Sequence, residues 1–336
     1  MIRKITATLR RLLPAQIFSY ARSFYWICRR IVLTIPTWLR YGRPDMSLFF
    51  GVTPGDELLC TAVHRELNKR DIHRVWMFSN YPEIYRGNPD AVIIKKIDPW
   101  MMDYAKLTSK YIHLGYSATP VTDEWGDSPH RHLIAEMCHR LGMQGRVVLR
   151  PYLELTENEK QEGAWAAGKL VIQSSGLAAR MPMQNKNWYP ERYQQVIDAL
   201  RGGHEFIQIG STSDPLLEGV TDLRGKTSIR SSAAILFHAR LNIGHVGFLM
   251  HLARAMECPS VIIYGGREAP WLSGYSCNYN IYTKLPCSPC WLWNRCDFNH
   301  ECMRKIEASH VIGQIKIALA TPRMIGTVLP SDETEL

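Results

Sequence analysis

Acidic side chains are almost missing from the first 45 residues, where Asp45 alone faces nine cationic ones: Arg3, Lys4, Arg10, Arg11, Arg22, Arg29, Arg30, Arg40 and Arg43. The remaining chain is nearly neutral, so the formal net charge of +9 is gathered in one arm. That distribution argues against a nucleic-acid partner, which needs a basic face on the folded body. Long apolar runs are lacking too. Arginines interrupt each of them well short of the roughly 20 residues a spanning helix needs, and no small-residue cleavage site follows. The arm interleaves its arginines with Ile17, Phe18, Phe24, Tyr25, Trp26, Ile31, Trp38 and Leu39. Cations with aromatic anchors predict an arm lying on an anionic membrane surface. An amphipathic helix packed on the body or on another subunit is the alternative. Low-complexity segments and short-period repeats are absent, and 46% hydrophobic against 21% charged residues excludes disorder. With no export signal visible, the nine cysteines point to a reducing cytoplasm and against structural disulfides. The expected location is cytoplasmic, peripheral on the inner face of the cell membrane.

Beyond the arm, short apolar β-type runs alternate with helical stretches, the pattern of parallel sheets covered by helices. Strands are predicted at Leu48–Val52, Arg74–Phe78, Ala91–Lys95, Tyr111–Leu114 and Arg146–Leu149, then at Leu170–Gln173, Glu205–Ile209, Leu241–Ile243 and Val261–Tyr264. Helices are predicted at Glu57–Lys69, Arg131–Leu141, Glu157–Ala167, Pro190–Leu200, Ile229–Ala239 and Leu249–Met256. The change from a charged helix to an apolar strand near Ala166–Gly168 divides the chain into an arm (1–45), a first α/β domain (46–166), a second (167–320) and a tail (321–336). A ligand would bind between the domains, facing the strand carboxyl ends.

Four segments carry candidate chemistry. Gly51–Leu59 runs from strand through turn into helix, which sets Asp56 at the positive end of a helix dipole. Gln173–Gly176, with Ser174 and Ser175, and the following Lys186 offer hydroxyls, backbone N–H groups and a cation to a phosphate. In Gly244–Ala255 a glycine turn at Gly247 opens a helix carrying His251, and Gly265–Gly266 closes the next strand. Cys287, Cys290, Cys296 and Cys302 form a Cys-x2-Cys-x5-Cys-x5-Cys cluster suited to tetrahedral zinc or iron, or else to free or redox-active thiols. Taken singly, each has an ordinary structural alternative: Asp56 a helix-start residue, Lys186 a surface cation, His251 a core histidine.

In order along residues 47–318, five elements resemble glycosyltransferase family 9, the ADP-heptose heptosyltransferases. They are Gly55–Asp56–Glu57–Leu58–Leu59, Tyr85–Ala91, Lys186–Asn187–Trp188–Tyr189–Pro190–Glu191–Arg192–Tyr193, Asp222–Ile229, and the cysteine series ending in Cys302–Met303. The resemblance implies a GT-B fold of two Rossmann-like domains and inverting sugar transfer without a catalytic metal. It implies Asp56 as general base and Thr53 and Gly55 on the acceptor side. Ser174, Ser175, Lys186, Gly210, Ser211, Gly247, His251 and Gly265 would stand on the donor side. The cysteine cluster is similar to the iron-binding one of the autotransporter heptosyltransferase branch. One departure stands out: Val246–His251 lacks the acidic residue and one glycine that the family carries there. The implied partners are a nucleotide-sugar donor, ADP-linked in that family's manner, and a surface-glycan, lipid-linked or protein acceptor, in a chain able to form oligomers. A catalytically silent scaffold at the membrane is the other reading.

Overall fold

The computed structural model describes residues 14–51, 53–95, 99–116, 128–323 and 332–336. Arg3, Lys4, Arg10 and Arg11 of the arm, and Val52 of the first motif, lie outside them. Helix α1 (Ala15–Tyr41) follows Pro14 and contains Pro36. It lies against helix α3 (Pro99–Thr108). Where the arm meets the body, the Arg43 guanidinium donates to the carbonyl of Thr108 at 2.9 and 3.0 Å. Ile17, Tyr20, Phe24, Ile27, Ile31, Ile35 and Trp38 recur every three or four residues and are all exposed. That spacing puts them on one side of the helix, as an apolar stripe open to solvent.

The first sheet holds β1 (Met46–Phe49), β2 (Val75–Ser79), β3 (Val92–Lys95) and β4 (Lys110–His113), all parallel, in the order β3-β2-β1-β4. Parallel strands are covered on both faces, which is why β2 reads as an unbroken buried run, Val-Trp-Met-Phe-Ser. Helix α2 (Pro54–Asn68) crosses from β1 toward β2, and α4 (Leu133–Arg140) packs beside it.

The second sheet has six parallel strands, β6 (Leu170–Ile172), β7 (Phe206–Gln208), β8 (Val220–Asp222), β9 (Leu241–His245), β10 (Ser260–Tyr264) and β11 (Asn278–Tyr282), in the order β11-β10-β9-β6-β7-β8. Its covering helices are α6 (Pro190–Leu200), α7 (Ile229–His238), α8 (Phe248–Ala255) and α11 (Ala308–Ala320), with short turns α9 (Pro270–Ser273) and α10 (Glu301–Arg304). On α6, Tyr193, Val196, Ile197 and Leu200 form the buried face, packed with Trp188. The exits of β1, β6, β9 and β10 carry all the candidate segments except the cysteine cluster and Gly210–Ser211, the latter at the exit of β7.

Three contacts join segments distant in the chain. The segment Arg146–Leu149 does form a strand, β5 (Arg146–Val148), yet it pairs antiparallel with β12 (Glu333–Glu335) and joins neither large sheet. The backbone N–H of Leu149 donates to the carbonyl of Asp332 at 2.7 Å. The end of the tail is therefore a strand, fixed further by a buried ion pair between Asp332 and Arg254 at 3.1 Å. Finally, α5 (Glu157–Gly163), read with the first half, packs on α7 of the second, where a Cβ on Gly163 would stand 2.2 Å from the carbonyl oxygen of Ala234. One buried apolar cluster accordingly runs through both halves, from Leu48 and Leu58 to Leu252 and Ile262.

Candidate active site

Thr53 caps α2 in an extended conformation and Pro54 occupies its first turn, so the chain leaves β1 and turns sharply into helix. Asp56 then falls on the third helical residue. Its backbone N–H donates to Thr53 Oγ1 at 3.3 Å, and the Thr53 hydroxyl donates to Asp56 Oδ2 at 2.8 Å. The Tyr116 hydroxyl donates to Asp56 Oδ1 at 2.8 Å. Burial raises the carboxyl above its ordinary pKa, a rise opposed by these hydrogen bonds and by the charge of Lys186 and reinforced by Glu268. Gly55 faces the second half directly: a Cβ there would lie 3.7 Å from the Phe248 backbone and 3.8 Å from the His251 ring.

Lys186 reaches the same place from the opposite half. It ends a short 3-10 turn (Gln184–Lys186) before α6 and forms a salt bridge with Glu268, just beyond β10. Glu268 is 4% exposed and Lys186 19%. Burial alone would push Glu268 up, but Lys186 and Arg267 outweigh it and hold the carboxyl at about 2. Asp56, Lys186 and Glu268 thus share one recess between the two halves.

The other donor-side candidates divide. Ser175 Oγ donates to Asn187 Oδ1 at 3.1 Å, as does the Gly176 backbone N–H, so Asn187 orders that turn beside Lys186. Gly176 is needed because a Cβ would meet His245 Nε2 at 2.4 Å. Ser174 is spent on the loop itself: its hydroxyl donates to the Pro215 carbonyl at 2.7 Å and accepts from Gln208 Nε2 at 2.9 Å. Gly210 and Ser211 sit at the exit of β7, where the Ser211 N–H donates to Asp214 Oδ2 at 2.9 Å. Gly247 caps α8, and His251 on its first turn shares a 2.6 Å hydrogen bond between Nδ1 and the Tyr275 hydroxyl. Burial lowers the His251 pKa to about 3, so the imidazole is neutral at physiological pH and offers an N–H rather than a charge. Gly265 is pressed against Asn185, where a Cβ would stand 2.0 Å from its carbonyl oxygen.

The cysteines lie alongside. A Cβ on Gly266 would sit 3.1 Å from Cys302 Sγ and 3.7 Å from Cys290 Sγ, and Cys296 Sγ accepts from the His300 N–H at 3.3 Å. Among the described residues, however, no three or more His, Cys, Asp or Glu side chains are arranged to hold a metal ion. The four-thiolate geometry expected for structural zinc or iron is therefore not met among the described residues. All nine cysteines are free.

Glu268, Arg267, Tyr116 and Asn187 were not among the residues expected at the site. Arg267 and Glu268 directly follow Gly265–Gly266, and continuing that motif by two residues would have found them. Tyr116 carried no signal, because only the fold brings it to Asp56. A cavity of about 640 Å³ bordered by Arg43, Asp45, Arg74, Leu107 and Lys110 opens at the amino ends of β1, β2 and β4, away from this recess.

Residues 130–295 match the model of glycosyltransferase family 9 (heptosyltransferase). No curated protein matches the chain. Among solved structures, the iron-containing dodecameric glycosyltransferase TibC from enterotoxigenic E. coli is 20% identical, with a TM-score of 0.64 over 82% of this chain and 76% of its own. It has also been solved in complex with ADP-D-beta-D-heptose, superposing with a TM-score of 0.60 at 17% identity over the same shares of both chains. The E. coli ADP-heptose LPS heptosyltransferase II is 13% identical, TM-score 0.62, over 82% of this chain and 98% of that one. E. coli heptosyltransferase WaaC with ADP is 12% identical, TM-score 0.51, over 81% and 97%. The two parallel sheets facing one recess are those of a GT-B fold, and the chain is a glycosyltransferase, a family 9 heptosyltransferase-like protein.

Proposed function

We propose that the protein transfers a sugar with inversion from a nucleoside-diphosphate donor to an acceptor hydroxyl, with Asp56 as general base. The acceptor oxygen attacks the anomeric carbon and gives its proton to the Asp56 carboxylate. The bond to the diphosphate breaks, and its electron pair leaves with the nucleotide. Proton removal of this kind typically contributes about 10²–10⁴-fold. The observation that carries this reading is the meeting of Asp56 and Lys186 in one recess, each within electrostatic reach of the other.

Lys186, the Ser175–Gly176 turn ordered by Asn187, and the Gly247–His251 helix start are the groups that would receive the growing charge of the leaving diphosphate. Lys186 pairs with Glu268 in this state, so a donor phosphate would share the lysine with that carboxylate. Thr53 and Gly55 border Asp56 on the acceptor side. An ADP-linked sugar is the donor of choice to try first, since TibC has been solved with ADP-D-beta-D-heptose and WaaC with ADP. The acceptor is proposed to be a bacterial surface glycan, a lipopolysaccharide or a protein side chain. A silent scaffold draws no support from neighbours that are themselves transferases.

The exposed stripe of α1, with Tyr20, Phe24 and Trp38, suits the proposed seat on an anionic membrane surface. None of the described helices is long and apolar enough to cross a membrane. The decisive experiment is a thermal-shift screen of nucleotide sugars followed by a transfer assay. A ligand at 100 times its dissociation constant adds roughly 2.7 kcal/mol. A folded protein that no nucleotide sugar stabilises would end the proposal.

A further inference from the structure

Each of the charged groups in the recess reaches the cysteine-rich segment 287–302 through few intermediaries. On the Asp56 side, the Tyr116 ring that holds the carboxylate stands edge-on to Trp291 with centroids 6.2 Å apart. On the Glu268 side, the guanidinium of Arg267 lies 4.4 Å over the Trp291 ring and also donates to the Trp291 carbonyl. The Trp291 N–H returns a hydrogen bond to the Arg267 carbonyl at 3.1 Å, and the Cys290 N–H one to Gly266 at 2.6 Å. On the Lys186 side, Asn185 donates through Nδ2 to the carbonyls of Leu292 at 3.1 Å and Arg295 at 2.9 Å, and its Oδ1 meets His300 Nε2 at 2.9 Å. Its own N–H donates to Trp293 at 2.9 Å.

We propose that segment 287–302 is a positioning element of the active site, with Trp291 and Asn185 as the residues that set Lys186, Glu268 and Asp56 at their working separations. Its catalytic consequence rests on the transferase reading; the placement itself does not. Trp291 is buried and held at φ 57, in the left-handed region that side-chain-bearing residues rarely adopt. Local preference therefore does not put it there. A strained backbone persists where the surrounding contacts over-determine it, and here those contacts are Tyr116 and Arg267. Asn185 uses its whole amide on the segment, and Lys186 is the next residue along. Trp291 contacts Tyr116 and Arg267, and Asn185 precedes Lys186, so both act through the charged groups they hold.

Lysine acetylation by acetic anhydride, read peptide by peptide by mass spectrometry, tests the placement without requiring turnover. In the parent protein the paired, largely buried Lys186 reacts slowly, and the exposed Lys226 and Lys305 serve as references. W291A and N185A are expected to raise labelling at Lys186 several-fold with Lys226 and Lys305 unchanged, while W291F, which keeps a ring between Tyr116 and Arg267, stays near the parent. Parent-like labelling of Lys186 in folded W291A and N185A would overturn the proposal. If circular dichroism shows W291A unfolded, N185A decides alone. Transfer from an ADP-linked sugar is the second readout: kcat falls and its pH profile shifts in W291A, with donor KM near the parent and W291F restoring both. A parent that transfers nothing yet shows the labelling pattern would remove the transferase reading and keep the positioning role.

Discussion

Arg230 on α7 closes a salt bridge on Glu159 of α5, and its remaining N–H groups hold the carbonyls of Glu83 at 2.9 Å and Glu154 at 2.5 Å. One buried guanidinium of the second half therefore ties it to Glu83, Glu154 and Glu159 of the first. Replacing it leaves two carbonyls without this donor and Glu159 with only Thr156 and Arg86, and Arg230→Ala should cost roughly 3 kcal/mol in denaturant unfolding. The bridge to Arg230 depresses the Glu159 pKa from 4.5 to about 2. Its contribution is present above the unfolded value and is lost as pH falls from 4.5 toward 2. Arg230→Ala should accordingly flatten the acid limb of a stability–pH curve in that window.

The Lys186–Glu268 pair gives the second prediction. Removing one member of a buried pair typically costs about 3–5 kcal/mol, because the other charge stays in the low-dielectric interior. Glu268→Gln and Lys186→Met should each destabilise strongly, and the double variant should recover part of the loss. A double-mutant cycle measures this, and additive losses would show the two groups to be independent.

Asp56→Asn should separate activity from stability. Folding raises the Asp56 pKa above 3.8, so the folded protein holds this proton more tightly than the unfolded chain does. Stability from this group is therefore greatest at low pH and declines as pH climbs past that value. At neutral pH the amide removes a penalty, and the variant should melt at or above the parent temperature while transfer falls by about 10²–10⁴-fold. In the parent, kcat/KM should rise with pH through the raised Asp56 pKa.

Deleting residues 1–45 should release the protein from anionic vesicles. Tyr20 in the apolar stripe is 77% exposed and Leu39 beside it 72%, so the stripe contributes little to the body. Co-sedimentation of full-length and truncated protein checks this, with neutral vesicles as the control. Added salt should weaken the full-length protein's binding only in part, because the apolar contribution is insensitive to screening.

Local chemistry made much of the fold legible. Helix α6 starts at Pro190 and runs to Leu200, as its proline and its apolar spacing predict. Helix α2, expected from Glu57, starts three residues earlier at Pro54, capped by Thr53. Strands β8 and β11 escaped because they are sheet edges: Val220–Asp222 has no fully buried residue, and Asn278 and Asn280 break the apolar pattern of β11. The partner of β5 could not be read from its own residues, since Glu333–Glu335 lies almost two hundred positions away. The site divides the same way. Asp56 and Lys186 stand in motifs, whereas the Glu268 salt bridge and the Tyr116 hydrogen bond join residues whose separation in sequence hides them.

The apolar cluster that passes unbroken from the first half into the second has a thermal consequence. Each half also has a smaller cluster of its own, but the shared one couples them, so calorimetry should record one cooperative endotherm rather than two. A fragment ending near residue 166 would bare the side of α2 that packs on α8 and self-associate, which makes the halves poor candidates for expression as separate modules.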